Sequence, residues 1–271
     1  MILKKNEIKM PKSFFIIKKA KERLSKTLLG DIFSKFPRES IKIMTKILFS
    51  PKLHLSFKKR LQLLNRFKDI RLNIDCAHSS EEYLIPAYEI LAFPKDIKGS
   101  IVEAGCYGGG GTAKLSIAAS LTNRNLFAFD SFEGMPANKE PIAKTSLGYN
   151  TRYYKGKWKG ALEEVKSNIK KWGEISSCKF IKGHFKKTMP NFNEPIILVF
   201  CDVDLALSNK TCIKYLWPNL VKGGLFFSQD AHIPIVKELF NNENFWKKEV
   251  GLNYIPKFHH ITKRLGYFIK K

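Results

Sequence analysis

Four acidic side chains occupy positions from which they could form one site. Glu103, Asp130, Asp202 and Asp230 each lie at or just after the end of a short apolar run typical of a β-strand. The carboxyl ends of parallel strands meet at one edge of a sheet, so these acids are expected on one rim. Carboxylates there can bind ligand hydroxyls, hold a hard cation or accept a proton. Any one of them could instead be a strand-end cap or a solvated turn residue, but that explanation weakens for all four together.

A glycine-rich turn follows the first of these acids. Gly105 and the run Gly108–Gly111 separate a strand-like segment from a helix-forming one, and a second strand then ends at Asp130, about 25 residues after the first glycine. This order is expected of a nucleotide-binding βαβ unit. The turn matches neither the GxGxxG pattern of dinucleotide dehydrogenases nor the GxxxxGK[ST] pattern of phosphate-binding loops. The turn by itself therefore identifies no ligand class, and it disfavours a dinucleotide dehydrogenase.

Helical and strand-like patterns alternate from residue 99 to residue 250, which predicts an α/β fold with a mainly parallel sheet. Further strands are predicted at 179–182, 195–202 and 225–230, helices at 158–172, 209–216 and 233–240, a turn at 222–224, and a closing antiparallel hairpin within 253–271. Residues 131–154 lack periodicity and contain glycine and proline. A loop of that length usually covers an active site or is disordered.

The N-terminal part differs from the rest in charge. The chain has a formal net charge of +24, and residues 1–75 hold 20 Lys or Arg against 6 Asp or Glu. We predict a basic helical extension over 1–75, broken at Pro11, Pro37 and Pro51, with an amphipathic helix that includes Phe14 and Ile17. It could be a helical cap on the main domain, 76–271, or a segment that docks on an anionic membrane. Nucleic-acid binding is disfavoured because no recognition motif is present.

Several protein classes are disfavoured by composition. No run of 18 apolar residues exists that could span a bilayer, and the apolar patch near the N-terminus is too short for a signal peptide. The five cysteines show no CxxC spacing, which indicates reduced, packed thiols and argues against a zinc site. We expect a cytoplasmic protein, peripheral at the inner membrane face if the basic extension docks there.

Five segments together carry a specific resemblance. They read IVEAGCYGGGGTAKL, FAFDSFEGMP, FIKGHFKKTMP, LVFCDVDLALSNKT and LWPNLVKGGLFFSQDAH, in this order. In sequence and spacing they resemble the macrocin O-methyltransferase (TylF-type) family of class I S-adenosylmethionine-dependent methyltransferases, over roughly residues 75–271. The resemblance implies a Rossmann-like, mainly parallel seven-stranded sheet with an antiparallel final strand.

The resemblance also implies a cofactor pocket for S-adenosylmethionine. Glu103 and Gly105 would shape its methionine end, Asp130 would hold the ribose hydroxyls, and Gly183, His184 and Phe185 would lie near the adenine. The full set implied to contact the cofactor is Glu103, Gly105, Tyr107, Gly108, Asp130, Ser131, Phe132, Gly183, His184, Phe185 and Asp202.

Members of the family are similar to catechol-type methyltransferases, which use a divalent metal to bind and acidify a substrate hydroxyl. Mg²⁺ would then map onto Asp202, Gln229 and Asp230, with Asp204 as the base that removes the hydroxyl proton. This chain has Gln229 where relatives have an aspartate, and it lacks the usual tyrosine after the D-x-D-L element. His232 is a further candidate base, with a structural histidine as the alternative.

The resemblance implies methyl transfer from S-adenosylmethionine to a hydroxyl, with a sugar in a glycan, glycolipid or glycosylated metabolite as the acceptor. The alternative is a degenerate methyltransferase-like protein that binds a partner or glycan without catalysis, because the metal-binding pattern is incomplete. A homo-oligomer fits either alternative.

Overall fold

The computed structural model describes residues 28–77 and 81–271. Seven strands form one sheet: β1 Ser100–Ala104, β2 Leu126–Asp130, β3 Cys178–Lys182, β4 Ile196–Cys201, β5 Leu220–Ser228, β6 His259–His260 and β7 Gly266–Ile269. Ten α-helices are described: α1 Leu28–Ser34, α2 Ile41–Phe49, α3 Phe57–Asn73, α4 Glu81–Ala92, α5 Gly110–Leu121, α6 Leu162–Trp172, α7 Phe185–Thr188, α8 Ala206–Leu216, α9 Pro234–Phe240 and α10 Glu243–Phe245. A π-helical turn, Trp246–Val250, follows α10.

The strand order is β3-β2-β1-β4-β5-β7-β6. The first five strands are parallel, and β7 pairs antiparallel with β5 and with β6. Strands β2 and β3 lie on one side of the central strand β1, and β4 and the later strands lie on its other side. The strand order therefore reverses beside β1. Ligands of open α/β sheets bind at this switch point, beyond the carboxyl ends of the strands. The predicted fold class and the closing hairpin are confirmed.

The sheet is covered on both faces, as its nearly continuous apolar strands require. Because side chains alternate along a strand, Ile101 belongs to one core and its neighbour Val102 to the other. The first core packs the sheet against α1 to α6. The second packs it against α8, α9 and the π-helical turn, whose Trp246 is fully buried.

The described part of the N-terminal extension is helical and breaks at two predicted prolines. Pro37 precedes a 3₁₀ turn, and Pro51 follows the end of α2. Arg60 of α3 holds the connection from α2, since its guanidinium donates to the carbonyls of Leu48 at 2.9 Å and Ser50 at 2.8 Å. The predicted amphipathic helix around Phe14 and Ile17 lies outside the described residues. The boundary at residues 75 and 76 stays a prediction.

Some element bounds differ from the sequence-based ones. The predicted turn 222–224 lies inside β5, where the register shifts opposite Ile196, so its glycines form a bulge. Helix α8 starts at Ala206, before the predicted Asn209, because Glu140 accepts hydrogen bonds from its first free backbone amides. Helix α6 starts at Leu162, later than predicted.

Residues 131–161 contain neither helix nor strand, only an antiparallel bridge between Lys144 and Asn150. The predicted long loop is confirmed, and we call residues 131–161 the cover loop. No helix within the described ranges is long and apolar enough to cross a membrane. All five cysteines are free thiols.

Candidate functional site

A cavity of about 570 Å³ opens at the carboxyl ends of β1, β2 and β4, beneath the cover loop. Nine of the predicted site residues line it: Gly105, Tyr107, Asp130, Ser131, Gly183, His184, Phe185, Asp202 and Asp204. Six predicted residues lie outside its lining: Glu103, Gly108, Phe132, Gln229, Asp230 and His232. The sheet thus brings together residues scattered over about a hundred positions, as parallel strand ends require.

Asp130 organises the glycine turn. Its two carboxylate oxygens accept hydrogen bonds from the backbone amides of Cys106 and Phe132, both at 2.7 Å. Burial raises the pKa of Asp130, and these hydrogen bonds act in the opposite direction. Tyr107 in the turn and Phe132 after the strand both have positive φ, 45° and 57°. Non-glycine residues in this region are rare and cluster at functional sites, so the carboxylate holds a strained turn in place.

Glu103 lies beneath the cavity instead of on its rim. It is fully buried in β1, and neither carboxylate oxygen has a hydrogen-bond partner of normal geometry. Burial raises its pKa to about 8, and the nearby Asp202 and Asp130 carboxylates add to that shift, whereas the Thr112 hydroxyl and the Lys114 charge oppose it. A Cβ atom at Gly111 would lie 2.6 Å from Glu103 Oε1, so the carboxylate lies directly beneath a cavity-lining glycine.

The segment between α3 and α4 also reaches the cavity, which the sequence did not indicate. Asp75, Cys76 and Ala77 line it, together with Tyr83 of α4. Tyr107 donates its hydroxyl hydrogen bond to Asp75 Oδ2 at 3.2 Å, and the buried Lys114 ammonium donates to Cys76 Sγ at 3.5 Å. The helical extension therefore contributes to the cavity wall. No motif marks these residues, because only the packing of α3 on α5 and α6 brings them there.

The Asp230 carboxylate holds neighbouring backbone in place. It is 1% exposed, and its Oδ2 accepts from the backbone amides of Val203 at 3.1 Å and Asp204 at 3.0 Å and from the Asn209 side chain at 2.8 Å. Burial and the charges of Asp202 and Asp204 raise its pKa. This carboxylate fixes the segment after β4, in which Asp204 takes a positive φ of 58°. Asp204 is thereby held at the cavity wall.

The cover loop is tied to the acceptor side of the cavity at several points. Glu140 caps α8, and the Tyr153 hydroxyl hydrogen-bonds to Asp204, which contributes to a raised Tyr153 pKa that burial dominates. Tyr149 and Tyr153 both line the cavity. They bring phenol groups to a chain that lacks the tyrosine expected after Leu205. Sequence analysis identified the loop but not these residues, since nothing local fixes where a loop side chain points.

His232 lies outside the cavity lining and contacts Tyr149, which lines it. Its Nε2 lies 2.6 Å from the Tyr149 hydroxyl, and its Nδ1 lies 3.0 Å from the Gln229 carbonyl oxygen. A carbonyl can only accept, so Nδ1 carries the proton in this contact and the neutral ring accepts at Nε2 from Tyr149. The Arg264 guanidinium lies 5.6 Å from the Tyr149 ring centre and lines the cavity as well.

The residues present do not fit a divalent cation shared by Asp202, Gln229 and Asp230. Asp202 lines the cavity, whereas Gln229 and Asp230 are 1% exposed and outside its lining. One Asp230 oxygen already accepts three hydrogen bonds, and the Gln229 amide brings no charge. Within residues 28–77 and 81–271, no group of three or more His, Cys, Asp or Glu side chains is placed to hold a metal ion. We therefore derive no chemical step through a metal.

Comparisons with known proteins bear on the family and on the fold. Residues 88–252 match the family model described as macrocin-O-methyltransferase (TylF). A curated relative from Streptomyces olivaceus, named 8-demethyl-8-(2,3-dimethoxy-alpha-L-rhamnosyl)-tetracenomycin-C 4'-O-methyltransferase, is 26% identical over 147 residues. That alignment covers 52% of this chain and 56% of the relative, so the chain spans about half the length of the curated protein that it matches.

Two solved structures share the fold. The O-methyltransferase NovP superposes with a TM-score of 0.60 at 18% identity, covering 84% of this chain and 97% of NovP. CalS11, described as a calicheamicin methyltransferase, superposes with a TM-score of 0.53 at 16% identity, covering 86% and 93%. At these identities the likeness establishes the Rossmann-like architecture.

Proposed function

Because this chain belongs to the macrocin-O-methyltransferase (TylF) family, we propose that it transfers a methyl group from S-adenosylmethionine to a hydroxyl group of a sugar. The observation that carries the proposal is the cavity at the switch point, where Asp130 closes the glycine turn and Asp204 faces the same space. The curated relative is named for methylation of a rhamnosyl group, which supports a sugar acceptor. A glycan, a glycolipid and a glycosylated metabolite all supply such a hydroxyl.

The residues present fit S-adenosylmethionine. Glu103, a buried carboxyl group whose oxygens make no hydrogen bond of normal geometry, lies beneath Gly111. A positively charged ligand group nearby would favour its ionised form. Gly110 and Gly111 begin α5 and bring backbone to the cavity without side chains in the way. The cavity volume of about 570 Å³ is in the range of small-molecule and cofactor sites.

On the cofactor side, groups of this chain bind S-adenosylmethionine and orient it. We propose that Glu103 and Gly105 shape the methionine end, that Asp130 accepts from the ribose hydroxyls with the lone pairs its backbone contacts leave free, and that His184 lies at the adenine. The other proposed contacts are Tyr107, Gly108, Ser131, Phe132, Gly183, Phe185 and Asp202. When bound, S-adenosylmethionine supplies an electrophilic methyl group on a sulfonium.

On the acceptor side, Asp204 is the proposed base. It takes the proton from the sugar hydroxyl as that oxygen forms its bond to the methyl carbon, and the carbon–sulfur bond breaks in the same step. The Tyr153 hydroxyl, bonded to Asp204, orients the carboxylate. His232, whose Nε2 faces Tyr149, is the second candidate to receive the proton, through the Tyr149 hydroxyl. The cover loop excludes water from the reacting atoms.

The test separates cofactor binding from chemistry. Isothermal titration of the full chain with S-adenosylhomocysteine is expected to show binding, and radiolabelled methyl transfer to a panel of sugar acceptors is expected to show turnover. Asp204→Asn should lower kcat by about 10²–10⁴-fold and leave S-adenosylhomocysteine affinity unchanged. Asn tolerates the positive φ of this position, so the backbone is preserved.

Asp96→Asn is the matched control, because Asp96 is exposed and outside the cavity lining. It should behave like the wild-type protein in both measurements. If the wild-type chain binds no S-adenosylhomocysteine, the proposed function fails and the non-catalytic alternative gains support. If it binds but Asp204→Asn turns over normally, the assignment of the base fails while the activity stands.

A further inference from the structure

The connection between α2 and α3 exposes a pair of aromatic rings. Phe49, the last residue of α2, is 68% exposed, and Phe57, the first residue of α3, is 46% exposed. Their ring centres lie 5.9 Å apart, so the two rings form one apolar surface. A single exposed apolar side chain is ordinary on a protein surface. This pair differs because it is set among positive charges.

Five exposed lysines flank the aromatic pair. They are Lys42, Lys46, Lys52, Lys58 and Lys59. The first two lie at helical spacing from Phe49 on the same exposed face of α2, and the last two directly follow Phe57. Between Glu39 and Asp69 the sequence holds eight Lys or Arg and no Asp or Glu. We call Phe49, Phe57 and these five lysines the basic tip.

A carboxylate of α4 faces part of the basic tip. Glu89 lies 3.8 Å from the Lys46 ammonium, and burial raises its pKa while the charges of Lys46 and Lys52 oppose that rise. Lys42, Lys58 and Lys59 take part in none of the ion pairs formed within residues 28–77 and 81–271. The basic tip therefore keeps a net positive charge.

The basic tip lies at the opposite end of α3 from the cavity. Phe57 begins α3, whereas Asp75 and Cys76, just beyond its end, line the cavity. With 17 residues, α3 is about 25 Å long. Lys58 and Lys59 also border a groove lined by apolar side chains of α3 and α5, so apolar surface continues beside them. A partner bound at the tip would leave the cavity open.

The combination of charge and aromatic surface favours a lipid membrane as the partner. Surface lysines of a basic protein are usually just solvated, but these lysines flank rings that a purely ionic partner would leave in water. Phenylalanine rings enter the boundary between lipid headgroups and acyl chains, and lysines beside them are attracted to anionic headgroups. Nucleic acid also offers phosphates, and its bases stack on aromatic rings. The sequence holds no nucleic-acid recognition motif.

We propose that the basic tip docks on a membrane that contains anionic phospholipids. Phe49 and Phe57 enter the boundary between headgroups and acyl chains, and the lysines bind the headgroup phosphates. Because the length of α3 separates the tip from the cavity, the docked protein keeps its cavity open to the solution. Docking is independent of the proposed function, since no group that lines the cavity takes part.

Sedimentation of the full chain with lipid vesicles at low salt tests the proposal. One set of vesicles is pure phosphatidylcholine, and the other also contains phosphatidylglycerol. Binding to the anionic set is expected to be about tenfold or more tighter, because each lysine near an anionic surface contributes about fivefold in affinity. It should weaken as salt is added. Equal binding to both sets, or binding to neither, would overturn the proposal.

Two variants separate the aromatic pair from the charge. Phe49→Ser/Phe57→Ser should weaken binding to anionic vesicles about tenfold or more, because it removes the apolar surface. Lys58→Gln/Lys59→Gln keeps the rings and should also weaken binding about tenfold or more. Ile142→Ser is the matched control, since Ile142 is 66% exposed on the cover loop, and it should bind like the wild-type protein. Circular dichroism checks that each variant is folded.

The variants also decide against the proposal. Wild-type affinity of Phe49→Ser/Phe57→Ser for anionic vesicles, or equal weakening by Ile142→Ser, would overturn it. A labelled single-stranded RNA is the remaining probe. RNA binding that the Phe49→Ser/Phe57→Ser variant loses, together with no vesicle binding by the wild-type chain, would assign the basic tip to nucleic acid instead.

Discussion

The cavity has two halves that are built in different ways. The half proposed to bind the cofactor, here called the cofactor half, is built mainly from one continuous βαβ segment, residues 99–136, which closes on itself where Asp130 accepts from the Cys106 amide 24 positions earlier. The ends of β3 and β4 add Gly183, His184, Phe185 and Asp202. The acceptor half joins β4, β5, the cover loop and the β6–β7 connection. Its contacts span 66 positions between Glu140 and Ala206 and 83 positions between Tyr149 and His232. Local chain order therefore specifies most of the first half, whereas the second depends on the whole fold.

The two halves meet at Gly105. It has a φ of +90°, and a Cβ atom there would lie 1.9 Å from the Asp202 carbonyl oxygen. Backbone of the cofactor half thus packs directly on backbone of the acceptor half. The glycine-rich turn is needed as much for this contact as for any ligand.

The first prediction tests that junction. Gly105→Ala should lower the free energy of unfolding by about 3 kcal/mol or more, because it adds a backbone clash to the cost of a positive φ. Gly148→Ala is the matched control, since Gly148 has the same φ of +90° and nothing within 4 Å of an added Cβ. It should cost only about 1–2 kcal/mol. Urea unfolding measures both, and equal losses would show that the two halves do not meet as described.

The next effect concerns the cofactor half alone. The native pKa of Glu103 is about 8, above its ordinary value of 4.5, so the native protein keeps a proton that the unfolded chain has lost between these pH values. Stability therefore falls as pH rises through this window, by up to about 1.4 kcal/mol per pH unit. The substitution Glu103→Gln removes the pH dependence that this carboxyl group contributes to the free energy of unfolding.

The difference in unfolding free energy between the wild-type protein and Glu103→Gln should decline from about pH 5 to about pH 8 and then level off. Urea unfolding at several pH values, without ligand, supplies the measurement. A constant difference across the window would mean that the Glu103 carboxyl titrates normally and is not isolated beneath Gly111.

The smallest expected effect concerns the acceptor half. Asp230 is engaged by Val203, Asp204 and Asn209, and Gln229 adds no charge, so a chelator should leave S-adenosylhomocysteine affinity and methyl transfer unchanged. Activity is compared after EDTA treatment with and without added Mg²⁺. Loss of turnover that Mg²⁺ restores would show that the acceptor half does assemble a cation site.

The cofactor half was largely predictable from the sequence, and the acceptor half was predictable only in outline. The strand ends at Asp130 and Asp202 follow from apolar runs and Asp204 from the family resemblance, and all three line the cavity. Glu103 was expected on the rim but lies buried beneath it, because it is still inside β1. The strand continues to Ala104 before the glycine turn begins. The roles of Tyr149 and Tyr153 were missed, since a loop without periodicity gives no sign of side-chain direction.

The sequence by itself determined the α/β class, the order of the strands along the chain and the identity of the strand-end acids. These depend on hydrophobic periodicity and on turn residues, which act over a few positions. Only the tertiary structure decided which acids reach the cavity. It also decided that the Asp230 carboxylate accepts hydrogen bonds from backbone amides and that Tyr149 lies between His232 and the cavity. Those outcomes depend on contacts between residues far apart in the chain, where burial and hydrogen-bond competition select the partner.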